Sequence, residues 1–360
     1  MANQVSQGAE TPNTNFSGRA RIQSGLGKVL QTLLKVGFAG GLIYWMIKKG
    51  VLDLNSFAQL LTPQIIILSL ALVFMQVFLN NYRWLLLMRA QGLVSTVRYT
   101  LPLSFIGMFF SFVMPGGVGG DVIKGYYVLQ DNPNRKVAGA ISIFMDRVIG
   151  FFIMIVTAFV ALFFNWSAVV ASPQLKSVAA AVSLLFLGFM VFFALSFSRR
   201  LGKQVFGTFI GHLLFERLPG GQKIRQIYDC VHFYRNSPGA LVKAMLLSAC
   251  SQIPCVGFVY MIALAMGVTQ LPIEVYFFLV PVGIVVLALP ISPAGIGVGQ
   301  TAFYFLFKIY LGPSSQLGPT AATAMQVVSF AWGLLGCFFY LTRKKPQIDS
   351  QVTDSLASRS

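Results

Sequence analysis

A glycine-rich break interrupts a long apolar stretch of this chain and limits what it can fold into. From Met114 to Val122 the sequence reads MPGGVGGDV, and the stretch before it is apolar from Thr100 onward. Four glycines and a proline so close together cannot continue an α-helix. An open backbone at membrane depth must be buried in protein or line a wet cavity. The sequence therefore predicts a broken helix at this position, and the alternative is a helix–turn–helix at the membrane surface with Asp121 as its N-cap.

The composition places this break in a membrane protein. Hydrophobic residues make up 56% of the chain and charged residues only 10%, and the mean hydropathy is +0.73. A soluble fold does not fit these values. We predict an all-α polytopic membrane protein with about six full transmembrane helices and two broken re-entrant segments. The full spans are expected at about 29–47, 64–82, 138–164, 178–198, 240–266 and 320–342, and the broken segments at 100–130 and 273–311.

The distribution of basic residues predicts the orientation of the membrane domain, which covers residues 29–342. Lys and Arg collect in the loops and tails assigned to the cytoplasm, and only Lys48, Lys49 and Lys176 fall in outside loops, as the positive-inside rule requires. The tails 1–28 and 343–360 are expected to be disordered and cytoplasmic. We therefore expect a multi-pass protein of a bacterial cytoplasmic (inner) membrane with both termini inside.

The net charge of +17 points to lipid rather than to nucleic acid, because the basic residues gather at the ends of hydrophobic spans. Anionic lipid headgroups at the inner leaflet are the expected partner. The loop 199–239 has the pattern of an amphipathic interfacial helix, which either gathers such headgroups or serves only as a topological anchor. The sequence shows no metal-ligand spacing of its four cysteines and no phosphate-binding loop, so no metal and no cofactor are predicted.

The two broken segments match each other in sequence. PGGVGGDV from Pro115 aligns without gaps with PAGIGVGQ from Pro293, and the predicted topology makes the two segments enter from opposite sides. Broken helices in corresponding positions of two inverted halves indicate a transporter's substrate site near the midplane, although glycines in membrane helices also serve packing. The residues expected to bend the backbone are Pro115, Gly116, Gly117, Gly119, Gly120, Pro293, Gly295 and Gly297.

Charged residues inside the apolar segments are the candidate binding groups, because charge at membrane depth is costly. Asp121 and Lys124 follow the first break, and Asp146 and Arg147 lie within the next span. Neighbouring residues do not share a helix face, so Asp146 and Arg147 are expected to have different partners. Arg147 could bind a lipid phosphate through its planar guanidinium, while Asp146 could pair with Lys124 or orient Arg147. A purely structural ion pair between helices is the alternative.

Together these motifs resemble the membrane region of the lysylphosphatidylglycerol synthetase and flippase family, in a stand-alone form that lacks the soluble aminoacyl-transferase domain. The resemblance extends over about residues 30–342, and Tyr82-Arg83-Trp84 with Gly92 resembles an earlier segment of that family. It implies lipid translocation along a path formed by the two broken segments. Two departures concern the substrate: Gly299-Gln300 stands where members often carry Arg-Glu, and Gln326 replaces a later arginine. The loss of the acid removes an obvious partner for a cationic lysyl headgroup.

We therefore predict a flippase-like transporter, rather than an enzyme, that moves an anionic or modified phospholipid or a lipid-linked headgroup between leaflets. A separate lipid-modifying enzyme as partner and a homo-oligomeric state are left open. The alternative is a membrane-embedded enzyme or accessory subunit that acts on a lipid-linked sugar or phosphate and uses the two carboxylates. The candidate substrate-binding residues are Arg83, Asp121, Lys124, Asp146, Arg147 and Gln300.

The predicted topology can be tested by cysteine labelling. In a background without the native cysteines, a cysteine introduced between Ser198 and Ser237 should react with a membrane-impermeant reagent only from the cytoplasmic side, because the positive-inside rule places this basic loop there. Labelling of intact cells from outside would contradict the inverted-repeat topology.

Overall fold

The computed structural model of the chain describes residues 44, 48, 60–114, 119–197, 234, 237–289 and 291–343. Predictions for the span 29–47, for the loop 199–239 and for both tails fall almost entirely outside the described residues. The same holds for Pro115, Gly116 and Gly117, three of the predicted bend residues.

Secondary structure in the described residues is helical throughout, which confirms the all-α prediction. Five helices are long and apolar enough to cross a membrane, and each of them coincides with one of the predicted full spans. In chain order the α-helices are α1 (Pro63–Ala90), α2 (Val97–Val113), α3 (Gly119–Asp131), α4 (Lys136–Phe164), α5 (Trp166–Ala171), α6 (Pro173–Phe197), α7 (Pro238–Ala265), α8 (Ile273–Leu287), α9 (Val298–Leu311) and α10 (Leu317–Thr342). The five candidate spans are α1, α4, α6, α7 and α10.

Each predicted broken segment consists of two short helices. The first segment comprises α2 and α3, with 17 and 13 residues. The second comprises α8 and α9, with 15 and 14 residues, and a short 3₁₀ turn at Pro293–Gly295 lies between them. At ~1.5 Å per residue none of the four helices reaches the ~30 Å needed to cross the hydrocarbon core. These helices therefore end inside the protein and leave their ends available to line a cavity.

Helices α1 to α4 form one four-helix unit, and helices α7 to α10 form a second. The helices of the two units pack in an equivalent pattern, so that a contact made by a helix of one unit has a counterpart made by the corresponding helix of the other. The helices α1 and α7 pack against each other, α2 packs against α10, and α8 packs against α4 in the equivalent way. Arg83 near the end of α1 donates a hydrogen bond to Ser248 in the first half of α7, and Gln76, earlier in α1, forms a side-chain hydrogen bond with Cys255, later in α7. The equivalent helices α1 and α7 are thus antiparallel, as an inverted repeat requires.

Glycines allow the helices around the first break to approach closely. A Cβ at Gly120 would lie 2.1 Å from the carbonyl oxygen of Gly107, so α2 and α3 touch backbone to backbone. We predicted Gly119 and Gly120 as bends, but both residues are helical and form the start of α3. Their role in the structure is close packing, since any side chain at these positions would overlap its neighbours.

The crossing of α2 and α10 provides a test of this packing. A Cβ at Gly336 would lie 2.0 Å from the carbonyl oxygen of Phe105, so Gly336→Ala must push the two backbones apart. We expect a loss of stability on the order of 1–3 kcal/mol, measured as a lower unfolding midpoint of the purified protein in detergent. The matched control is Gly188→Ala in α6, where a Cβ meets nothing within 4 Å. An equal effect of both changes would contradict the close crossing.

Candidate functional site

A cavity of about 380 Å³ lies where the two broken segments meet. Gly120 and Asp121 of the first segment and Ala294 and Gly295 of the second contribute to its wall, together with residues of α1, α2, α4 and α10. The volume falls within the ~300–1,000 Å³ usual for small-ligand sites. Five of the six predicted substrate-binding residues line it, namely Arg83, Asp121, Lys124, Asp146 and Arg147.

Arg83 and Asp146 form a buried ion pair in the cavity wall. The Arg83 Nε donates to Asp146 Oδ1 at 2.7 Å, and its Nη1 donates to Ser248 Oγ at 2.9 Å. The side chains of the ion pair are only 8% and 18% exposed. The topology had placed Arg83 after the span, but α1 continues to Ala90 and keeps Arg83 inside the bundle. Asp146 therefore pairs with Arg83, rather than with Lys124 or Arg147.

A second ion pair joins the first broken segment to α4. The Arg147 Nε donates to Asp121 Oδ2, and the side chains are 37% and 19% exposed. The neighbouring residues Asp146 and Arg147 thus bind partners on different helices, α1 and α3. The guanidinium of Arg147 remains partly open to the cavity beside this bond.

Lys124 is the cation of the cavity wall that has no carboxylate partner among the described residues. Its Nζ lies 5.3 Å from the centroid of the Trp84 ring, a cation–π contact. Its aliphatic stem passes over Gly107, where an added Cβ would lie 2.6 Å from Lys124 Cε. Because an arginine engages each carboxylate of the described wall, the Lys124 ammonium leaves this part of the cavity with one uncompensated positive charge.

The second break is a left-handed backbone turn that neutral amides hold in place. The φ angles of Ala294, Gly295 and Gly297 are 48°, 70° and 82°, and for Ala294 this conformation is strained. The Gln300 side chain accepts from Gly297 N at 2.7 Å and donates to Gln326 Oε1 at 2.6 Å, while Gln326 Nε2 donates to Ala294 O at 3.2 Å. Gln300 is buried behind the wall, and Gln326 faces the cavity.

An aromatic and charged cluster anchors the far end of the first broken segment. Tyr99 Oη donates to Asp131 Oδ2 at 2.7 Å, and Arg343 pairs with the same carboxylate. The Arg343 guanidinium also lies 4.4 Å from the centroid of the Tyr127 ring. The sequence had assigned Arg343 to the tail, but the structure places it at the end of α10, where it fastens α2 and α3 to the last span.

Sequence reasoning missed three residues of the site: Trp84, Asn81 and Ser248. Trp84 contacts Lys124, Asn81 lines the cavity, and Ser248 accepts from Arg83. The Asn80-Asn81 pair inside an apolar span was a usable signal, because polar residues at membrane depth mark functional positions. Trp84 belongs to the Tyr82-Arg83-Trp84 segment of the family resemblance, which did not assign it to the site, and Ser248 carries no such signal. Among the described residues, no group of three His, Cys, Asp or Glu side chains is placed to hold a metal ion.

Comparison with known proteins identifies a family for this chain. A family model described as the lysylphosphatidylglycerol synthase TM region covers residues 32–336, and this confirms the resemblance found in the motifs. No curated protein and no solved structure shows a significant match. The matched range includes every charged residue of the cavity.

The Arg83–Asp146 pair should behave as a buried ion pair when it is broken. The change Arg83→Met leaves Asp146 without its partner and should cost roughly 3–5 kcal/mol, toward the lower end because the carboxylate keeps some exposure. The double change Arg83→Met/Asp146→Leu removes both charges and should recover much of that loss. Unfolding midpoints of the three purified proteins measure this. A double variant that is less stable than the single one would contradict the pairing.

Proposed function

The chain belongs to the family of the lysylphosphatidylglycerol synthase transmembrane region, and on this premise we propose that it is a transporter that moves an anionic phospholipid between the leaflets of the bacterial cytoplasmic membrane. The observation that carries the proposal is the ammonium of Lys124, which has no carboxylate partner among the described residues, in a cavity where Asp121 and Asp146 are already engaged by arginines. A lipid phosphate would supply the missing negative charge through a charge-assisted hydrogen bond.

The position of the cavity supports transport. Transporters built from inverted repeats bind their substrates near the midplane, where broken helices from the two halves meet. Here Gly120 of the first broken segment and Gly295 of the second line the same cavity. A cavity of about 380 Å³ holds a headgroup, so the acyl chains would remain in the surrounding lipid while the headgroup crosses.

The charges of the cavity argue against a cationic headgroup as the substrate. An amine would need a free carboxylate, but Asp121 and Asp146 each accept from an arginine. Among the described residues at the second break, the polar side chain that faces the cavity is the neutral amide of Gln326, and the Gln300 amide supports it from behind the wall. We therefore propose an anionic lipid rather than the lysyl lipid in the name of the family.

One observation favours the alternative of a membrane-embedded enzyme or accessory subunit for a lipid-linked sugar or phosphate. Asp121 and Asp146 line a single cavity, as an acid and a base acting on one substrate would. Each carboxylate, however, is held by a guanidinium from another helix, an arrangement that suits fixing charge and geometry better than proton transfer. Transport is for this reason the function that we propose.

Leaflet exchange in proteoliposomes tests the proposal. With labelled anionic phospholipid, Lys124→Ala should lower the exchange rate at least about tenfold, since a charged hydrogen bond to the headgroup is lost. The matched control is Lys308→Ala: Lys308 lies in α9, contacts Tyr304 and does not line the cavity, so the rate should stay near that of the native protein.

Two outcomes would count against transport by this site. Equal rates for Lys124→Ala and the native protein, reconstituted at equal density, would show that the cavity does not carry the lipid. The absence of exchange for every lipid class tested, from native protein shown to be folded, would favour the enzyme or accessory-subunit function.

A further inference from the structure

Asn81 presents a buried amide to the cavity. The oxygen of this amide is hydrogen-bonded within the described part of the protein, but its amino group is not. The residue is 2% exposed and lines the cavity. Its Oδ1 accepts from Ser104 Oγ at 3.0 Å, while its Nδ2 has no hydrogen-bond partner among the residues that the structure describes. Buried donors in proteins are nearly always paired, because leaving one unpaired is costly. A donor that faces a cavity is therefore suited to an acceptor on a ligand.

Two helices place Asn81 and Lys124 in the same part of the cavity wall. On α1, Asn81 precedes Trp84 by one helical turn, and Lys124 Nζ lies over the Trp84 ring. On α2, Ser104 precedes Gly107 by one turn, and the Lys124 stem packs on Gly107. Residues one turn apart have Cβ atoms about 5–6 Å from each other. Asn81 and Lys124 also line the same cavity of about 380 Å³, so a ligand held there can meet both the amide and the ammonium.

We infer that Asn81 binds substrate, and that its amide and the Lys124 ammonium together hold one lipid phosphodiester. This inference rests on the proposed function and names the substrate class of that site. A phosphodiester has two non-bridging oxygens that share one negative charge, so one oxygen can accept from the ammonium and the other from the amide. The single uncompensated charge of the described wall then matches the single charge of the ligand.

The same charge balance predicts which headgroups the site rejects. An ethanolamine headgroup carries the phosphodiester but adds an ammonium, and both carboxylates of the described wall are already bound by arginines. A phosphomonoester carries more than one negative charge and leaves part of it without a partner. The substrate class is therefore a lipid with one phosphodiester and otherwise uncharged hydroxyls, such as phosphatidylglycerol.

Two variants separate substrate binding from a structural role of Asn81. Asn81→Leu removes the whole amide, and its matched control is Gln91→Leu, which removes another buried amide without partners at the end of α1 and outside the cavity wall. Asn81→Asp keeps the oxygen that accepts from Ser104, loses the free donor and places a carboxylate beside Lys124. A purely structural role predicts that Asn81→Leu binds lipid no more weakly than Gln91→Leu does.

The test is binding of short-chain lipids to the full-length protein in detergent. The probes are dihexanoyl phosphatidylglycerol, the matching phosphatidylethanolamine and phosphatidic acid, and glycerophosphoglycerol as the headgroup without acyl chains. We expect the native protein to bind phosphatidylglycerol at least about tenfold more tightly than the other two lipids. Asn81→Leu and Asn81→Asp should lose about tenfold or more of that affinity, and Gln91→Leu should retain it. Equal binding of glycerophosphoglycerol would identify the phosphodiester headgroup itself as the recognised group.

The inference is overturned if Asn81→Asp, with an unchanged unfolding midpoint, binds phosphatidylglycerol like the native protein, or if the three lipids bind equally. Leaflet exchange by the same proteins separates this result from the fate of the proposed function. Selective binding that depends on Asn81, without exchange, would support the site and contradict transport. Exchange that does not respond to changes at Asn81 would support transport and contradict the site.

Discussion

The pairing of charges inside an apolar bundle is the constraint on which the rest of this structure depends. An isolated charge at membrane depth is costly, so Arg83 must meet Asp146 and Arg147 must meet Asp121. The first pair, with Ser248, ties α1, α4 and α7 together, and the second ties α3 to α4. These bonds hold four helices together around the polar cavity.

The two halves of the protein are alike in packing and unlike in charge. Exchanging α1 to α4 with α7 to α10 preserves the pattern of helix contacts, yet every charged residue of the described cavity wall belongs to the first half. The second half contributes a neutral turn at Ala294, which Gln300 and Gln326 hold in place. The repeat therefore builds the cavity, and the first half alone supplies the charges of its described wall.

Glycine has two separate roles in the broken segments. At Gly295 and Gly297 the backbone has positive φ, a conformation that glycine adopts without strain. At Gly119 and Gly120 the backbone is helical, and the absence of a side chain lets α3 lie against α2. The two motifs look alike in sequence, and for this reason all of these glycines were predicted as bends. Only the neighbouring backbone, Gly107 in the case of Gly120, distinguishes the two roles.

The sequence by itself determined the membrane class, five of the spans, both broken segments and the charged residues of the cavity, because hydrophobic length and the cost of buried charge are local properties. It did not determine which acid meets which base: Asp146 binds Arg83, 63 positions earlier in the chain. It also did not assign Asn81 or Trp84 to the site, and it ended the first span one residue before Arg83, which the longer helix α1 keeps inside the bundle. Only the tertiary structure decided these points, because the partner of a buried polar group is set by how distant helices cross.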